Sequence, residues 1–540
     1  MRQLLLALLL AVVGCSSTPL EGDPPPGEDL GRHHRAITTT SPEAQRAFDR
    51  GLVLVYAFDH AEAVHAFQAA ARHDPDCAMA YWGIALAKGP YINRMTMDAE
   101  GVKVAWEAIE KARALEAGAN PVERALMDAL ATRYAKDPPK DRAPLDLAYA
   151  RAMRKVWNEH RDDTDVGTLF AESLMDLHPW DLWAFGKPRE ETSELLATLD
   201  EVLARDPRHP GANHLYIHAV ENSPDPAKGI PAADALRTLV PDAEHLIHMS
   251  SHIDVLVGRY DQAEDANLRA IAAAERVAAR APRAKGATLG VHDWYSLAFA
   301  CMMEGRSGAA LEAARAVVAK APPLDDAKAK IADVMFSEPL HVLVRFGRWE
   351  EILAEPQPRP AFLVQRALGH YARGVALGAL GRLDEAEAEQ KEMVAAVAAV
   401  DSRTWGNNPA TVVLGIPGHM LAGELAFRRG RTDEAISELR SAVATEDGLK
   451  YNGPPDWMQP ARHSLAAILL AAHKPEEAEA VLREDLRRFP ENGWALNGLA
   501  RCLRARGAED EARGVDERFA RAWARADVKI TSSCVCLPGQ

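Results

Sequence analysis

The chain has 540 residues, 48% of them hydrophobic, and a formal net charge of −15. It has no Lys/Arg cluster and no aromatic-basic stripe of the kind that tracks phosphates, so nucleic acid is not an expected partner. Its length would ordinarily suggest several globular domains, a count that internal repeats change.

At the N-terminus, Met1-Arg2 precedes an apolar run from Leu4 to Val13, which closes on Val12-Val13-Gly14-Cys15. A charged start, a short apolar stretch and a small-residue stop ending in cysteine read as a lipoprotein signal peptide. The run is too short to span a bilayer as a mature helix. Residues 1–14 are therefore expected to be removed, leaving Cys15 lipidated. Residues 15–40, with Pro24-Pro25-Pro26 and Thr38-Thr39-Thr40, are expected as a flexible tether. Ser16 and Ser17 follow the cysteine without an Asp, which favours the outer membrane, facing the periplasm or the cell surface. No later stretch reads as apolar enough to cross a membrane, so membrane contact is expected through the lipid only.

From Ser41 onward, apolar residues recur with a 3.6-residue period between Gly- or Pro-marked breaks, and almost nothing reads as a strand. The predicted fold class is all-α. A unit Gly-Arg-x-x-x-Ala opens many second helices, as at Gly258-Arg259 to Ala263, Gly381-Arg382 to Ala386 and Gly430-Arg431 to Ala435, with the opening Gly-Arg also at Gly305-Arg306 and Gly347-Arg348. The glycine turns the chain, and the alanine lets paired helices approach closely. Gly347 and Gly381 are 34 residues apart, as are Leu465 and Leu499, and Ala478 and Ala512; this is the period of a tetratricopeptide repeat. Near the start, Phe48, Gly51, Tyr56, Ala63, Phe67 and Ala70 occupy core positions of a first pair that Asp74-Pro75 ends. The pattern predicts a right-handed α-solenoid, a superhelix of roughly twelve helix pairs with a concave groove. Residues 41–209 form its N-terminal pairs, 210–310 its histidine-bearing repeats, 311–525 its C-terminal repeats and 526–540 a tail.

The histidines carry the chemistry. His214/His218 and His248/His252 are two His-x-x-x-His pairs set 34 residues apart, hence equivalent positions on the first helices of adjacent repeats. On a helix opened by Pro210-Gly211, His214, His218 and Glu221 share one stripe; His245, His248 and His252 share another on the next first helix. His292, in His292-Asp293-Trp294-Tyr295, is a candidate third wall. Imidazoles with one carboxylate suit zinc or copper rather than calcium or magnesium. The predicted metal set is His214, His218, Glu221, His248, His252 and His292, with Glu221 either a ligand or a general base. Leu177-His178-Pro179-Trp180-Asp181-Leu182-Trp183 is an aromatic corner that reads as core or as a pocket wall. His60, His341 and His370 read as ordinary helical histidines. Cys77, Cys301 and Cys502 read as small hydrophobes, while Cys534 and Cys536 form a possible second metal or redox pair in an otherwise unstructured tail.

Asp74-Pro75-Asp76-Cys77 to Gly83, His209-Pro210-Gly211 to Glu221, His248-Met249-Ser250-Ser251-His252 and Pro490-Glu491-Asn492-Gly493-Trp494 together resemble a family of exported bacterial tetratricopeptide proteins of largely unassigned function. The resemblance spans nearly the whole mature chain. It departs at Ser250, where members carry Pro, and at Tyr295, where members have the second histidine of a His-Asn-x-His stretch. The resemblance implies the fold and export but no reaction. Three functions follow from the sequence: a lipid-anchored module binding a protein or peptide in its groove, a metalloenzyme running hydrolytic or oxidative chemistry on zinc or copper, and metal storage or delivery. No His-Glu-x-x-His, nucleophile elbow or Cys-His-Asp arrangement supports a particular reaction.

Overall fold

The computed structural model describes residues 28–184, 186–280, 290–321 and 333–535. The expected signal peptide, Cys15 and Cys536 lie outside the described residues. The chain divides into two compact units. Among the described residues one comprises 28–253 and 269–280, and the other 254–268, 290–321 and 333–535.

In the first unit the helices follow as α1 (Pro42–Tyr56) with α2 (His60–His73), α3 (Ala78–Lys88) with α4 (Ala99–Ala114), α5 (Pro121–Ala131) with α6 (Ala143–Glu159), α7 (Thr164–Met175) with α8 (Glu190–Arg205), and α9 (Pro210–Val220) with α10 (Ile230–Leu239). The division of units falls within α11 (Glu244–Leu256) and α12 (Tyr260–Arg280). The second unit continues with α13 (Val291–Met303) and α14 (Ser307–Lys320), α15 (Glu338–Arg345) and α16 (Trp349–Ala354), and α17 (Leu363–Ala379) and α18 (Leu383–Ala398). It ends with α19 (Gly415–Arg428) and α20 (Thr432–Asp447), α21 (Ala461–Ala471) and α22 (Pro475–Arg488), and α23 (Gly493–Ala505) and α24 (Glu509–Ala522). Among the described residues these make twelve successive pairs, the number the repeat pattern predicts. The only strands among them are two-residue antiparallel pairs, Trp183–Ala184 with Lys187–Pro188 and Thr404–Trp405 with Asn408–Pro409. The fold class is all-α, of the tetratricopeptide hairpin type.

The turn glycines act as the sequence requires. Gly258, Gly305, Gly347, Gly381 and Gly430 all have φ between +66° and +79°, a left-handed conformation that a Cβ opposes and that ends one helix so the next can fold back. Five residues on, Ala263, Ala386 and Ala435 are fully buried where the paired helices meet. The first unit's core is built on Phe48, Phe67, Trp82, Trp157 and Phe170, the second's on Trp457, Leu421, Leu469 and Leu496. Each such buried side chain contributes on the order of 1.5–3 kcal/mol of transfer free energy.

Three expectations change at this level. Residues 28–40, expected within the tether, pack across helix ends: Asp29 N–H donates to Asp242 Oδ2 at 3.0 Å, Thr38 N–H to Glu123 Oε1 at 2.6 Å, and Arg35 is buried against Asp163 and Asp165. Charged and polar groups supply most of these anchors, with Ile37 and Leu30 packing on the core, so hydropathy alone could not reveal the segment. The stretch Ala410–Arg428 does meet the length and hydropathy of a membrane span, at 19 residues and 1.3, although 61% of it is buried inside its unit, where α19 packs on α17 and α20. The C-terminal tail is packed rather than free: Ser532 and Ser533 are buried, Ser533 Oγ donates to the His463 carbonyl at 2.8 Å, and Cys534 is disulfide-bonded.

Candidate metal centre

The site begins at the N-terminus of α9. His209 caps the helix, its Nδ1 accepting from Ala212 N–H at 3.1 Å, and Pro210 supplies the preset φ of a first helical turn. Gly211 then lets the helix close on α1, because a Cβ there would lie 2.4 Å from the Tyr56 ring. That approach brings the Tyr56 carbonyl to His214 Nδ1 at 2.6 Å. A short sequence, His-Pro-Gly, thus sets the first imidazole.

His214 and His218 meet His245 of α11. Their ring centroids are 4.8 Å (His214–His218), 4.9 Å (His214–His245) and 6.5 Å (His218–His245) apart. One ligand nitrogen from each lies within 4.8 Å of the others, so a central point sits at most about 2.8 Å from all three, against roughly 2.0–2.1 Å for a zinc–imidazole bond. The Nε2 atoms of all three are buried and have no hydrogen-bond partner. The Nδ1 atoms of two are occupied, His214 on the Tyr56 carbonyl and His218 on Glu221 Oε1 at 2.7 Å. A carbonyl and a carboxylate accept only, so each Nδ1 carries the proton and each Nε2 its lone pair, the tautomer a metal binds. Burial first, and the neighbouring imidazoles second, push the pKa of His214 and His245 well below the usual histidine range, which keeps them neutral.

Aromatic rings enclose the cluster. Phe58 stacks on His218 at 5.7 Å and packs against His214 at 4.3 Å, while Trp180 meets His218 edge-on at 5.5 Å. Both aromatics have φ of +58°, and they are two of only four non-glycine residues with positive φ among those described. Such conformations cost on the order of 1–3 kcal/mol each and persist where surrounding structure imposes them. The aromatic corner of the sequence is thereby a wall of the site, its Trp183 Nε1 donating to the Ala219 carbonyl at 2.8 Å.

Glu221, the C-cap of α9, joins this cluster to a second pair. Its Oε1 accepts from His218 Nδ1 and its Oε2 from His252 Nδ1, both at 2.7 Å. His252 Nε2 in turn faces His248 Nε2 at 3.0 Å. Burial opposes ionisation of Glu221, but His252 and His218 outweigh it and hold the carboxyl well below its ordinary pKa.

The predicted set is therefore regrouped. His214 and His218 come together as expected, but His245, one turn before the repeat-equivalent His248, completes the trio. Glu221 is a hydrogen-bond acceptor orienting imidazoles rather than a member of the nitrogen cluster. His248 and His252 form their own pair beyond it. His292 belongs to the second unit, where its ring stacks on Tyr295 at 6.4 Å. Instead of lining an open groove, His214 and His248 have no exposed surface and His218 only 4%.

Sequence reasoning missed a neighbouring polar knot. Asp165 Oδ1 accepts from Tyr56 Oη at 2.6 Å, His33 Nε2 at 2.9 Å and His209 Nε2 at 3.2 Å, while its Oδ2 faces Arg35 at 3.2 Å. Since His209 Nδ1 accepts from Ala212, its Nε2 carries a proton and has no lone pair for a metal. Burial opposes the Asp165 charge, yet the donors of His209 and His33 hold its pKa well below the usual range. This is a structural anchor, and through Tyr56, which offers its carbonyl to His214, it fixes the floor of the trio. Asp163-x-Asp165 at the start of α7 gives no sequence signal beyond an N-cap.

Profiles of the tetratricopeptide repeat match residues 48–87, spanning α1 to α3, and 469–515, spanning α22 and α23. The chain thus carries tetratricopeptide repeats in both units, a repeat class whose general role is protein interaction. No curated protein matches the chain significantly. Among solved structures it is similar to the Cut9-Hcn1 hetero-tetramer of the APC/C, at 14% identity, 85% coverage of this chain, 76% of that one and a TM-score of 0.30. It is similar also to human IFIT1 solved as a dimer with m7Gppp-AAAA, at 13% identity, 89% and 90% coverage and a TM-score of 0.30.

Proposed function

We propose that this chain is a lipid-anchored tetratricopeptide scaffold, tethered to the outer membrane through Cys15, that holds a protein or peptide partner along its groove. We further propose that it is built around a buried transition-metal centre of His214, His218 and His245. One observation carries the metal: three imidazoles with ligand nitrogens within 4.8 Å of one another, each with an Nε2 that is buried without a partner, two of them in the metal-accepting tautomer. An unpartnered buried acceptor costs about 1–3 kcal/mol, and a cation with three imidazole ligands removes that cost at all three. Neutral nitrogen donors fit zinc or copper.

The metalloenzyme reading keeps support from the ligand count. Three protein ligands leave a fourth position, the arrangement of catalytic rather than closed structural zinc, and zinc or copper supplies Lewis-acid chemistry to whatever occupies it. Delivery by the cysteine tail loses support, because the disulfide of Cys534 removes its thiolate.

Elemental analysis of the purified mature chain tests the proposal. We expect stoichiometric zinc or copper, lost in a His214→Ala/His245→Ala variant that still gives a helical circular dichroism spectrum. A wild-type chain that takes up neither metal on reconstitution would leave only the scaffold.

A further inference from the structure

We infer that Glu221 organises two adjacent metal sites, the trio and a second one on His248 and His252. The inference rests on the trio being a metal site and adds another ion with its own ligands. Its basis is the double acceptance by one carboxylate: His218 donates Nδ1–H to Oε1 and His252 donates Nδ1–H to Oε2, each at 2.7 Å. A carboxylate accepts only, so both imidazoles carry their proton on Nδ1 and both present an Nε2 lone pair on the far side. For His218 that lone pair enters the trio. For His252 it points at His248 Nε2, 3.0 Å away.

Two nitrogens at that separation share a hydrogen, His248 Nε2–H donating to the His252 lone pair, and a metal ion takes that hydrogen's place once His248 carries its proton on Nδ1 instead. Two cis imidazoles bound at about 2.0–2.1 Å to a tetrahedral zinc stand roughly 3.4 Å apart, so a few tenths of an ångström of ring movement seats the ion. The spacing of His248 and His252, i and i+4 on one helix, suits chelation by neighbouring turns. Both rings are shielded, with His248 fully buried and the His252 side chain 7% exposed. The ligand class is again a borderline transition ion, zinc(II) or copper(II), with its remaining positions filled from outside the pair.

Zinc titration of the full mature chain, read by calorimetry and by elemental analysis after dialysis, tests the inference. Two ions per wild-type chain are expected, and one in a His248→Ala variant, which leaves the trio intact. Glu221→Gln offers one acceptor and one donor in place of two acceptors. One imidazole must then move its proton to Nε2, so one of the two ions should bind about 10–100-fold more weakly. A wild-type chain that binds a single zinc, with His248→Ala unchanged, would mean a shared proton only between His248 and His252 and would overturn the inference while leaving the trio. Two ions with equal affinity in wild type and Glu221→Gln would overturn the role of Glu221. No zinc at all would overturn the proposed metal centre itself. The wild-type stoichiometry decides even if a variant fails to fold.

Discussion

Asp165 and Glu338 show at residue scale how differently two buried carboxyls can be treated. Asp165 is surrounded by donors and stays ionised, so its folded pKa is depressed. The stability it gives is present above its unfolded pKa of about 3.9 and is lost as pH falls toward the folded value. Asp165→Asn should cost on the order of 3 kcal/mol at pH 7 by urea unfolding, since it removes the carboxylate that His33 and His209 share and leaves buried Arg35 with Asp163 alone. Glu338, on α15, is fully buried and neither oxygen has a hydrogen-bond partner; burial alone pushes its pKa well above the usual range. The folded state then binds a proton that the unfolded state releases above about pH 4.3, so stability falls as pH rises from there toward the folded pKa. Glu338→Gln should flatten that slope and gain about 1–3 kcal/mol at pH 8 over pH 5, relative to wild type. Equal slopes in the two proteins would contradict this account of Glu338. Nearby His341 shares the environment: neither of its ring nitrogens has a hydrogen-bond partner, and burial pushes its pKa down to about 3.

At the scale of elements, periodicity and turn chemistry made the helix pairs legible, because Gly-Arg-x-x-x-Ala fixes both the left-handed turn and the close contact after it. The histidine stripes on α9 and α11 were legible too, since i, i+3 or i+4, and i+7 share a face whatever the packing. What sequence could not supply was which imidazole of α11 meets the α9 pair, His245 rather than His248. Nor could it show segment 28–40 or the tail, both held by hydrogen bonds rather than by a hydrophobic period. Gly211→Ala tests the α1–α9 approach: its Cβ meets the Tyr56 ring at 2.4 Å, so the variant should lose about 1–3 kcal/mol and bind zinc at the trio more weakly. Retention of both properties would show that the α1–α9 approach does not position His214. The tail is tested by ending the chain after Ile530. Losing Ser533 from the His463 carbonyl and Val535 from Gly347 should lower Tm by several degrees, corresponding to about 1–2 kcal/mol. An unchanged Tm would mean that the tail is merely laid on the surface.

For the whole molecule, tetratricopeptide hairpins account for the fold, and the histidines of α9 and α11 account for what a plain scaffold would lack. Stacked hairpins need only apolar faces to be stable. Three imidazoles whose Nε2 atoms are buried and unpartnered, walled by two strained aromatics, add cost with no return unless something binds them. The most direct measurement is diffraction from crystals of the zinc-loaded chain at the zinc absorption edge. The account predicts an anomalous peak about 2.0–2.1 Å from the Nε2 atoms of His214, His218 and His245 together. A map without density there, showing those nitrogens bonded to water or to one another, would contradict it.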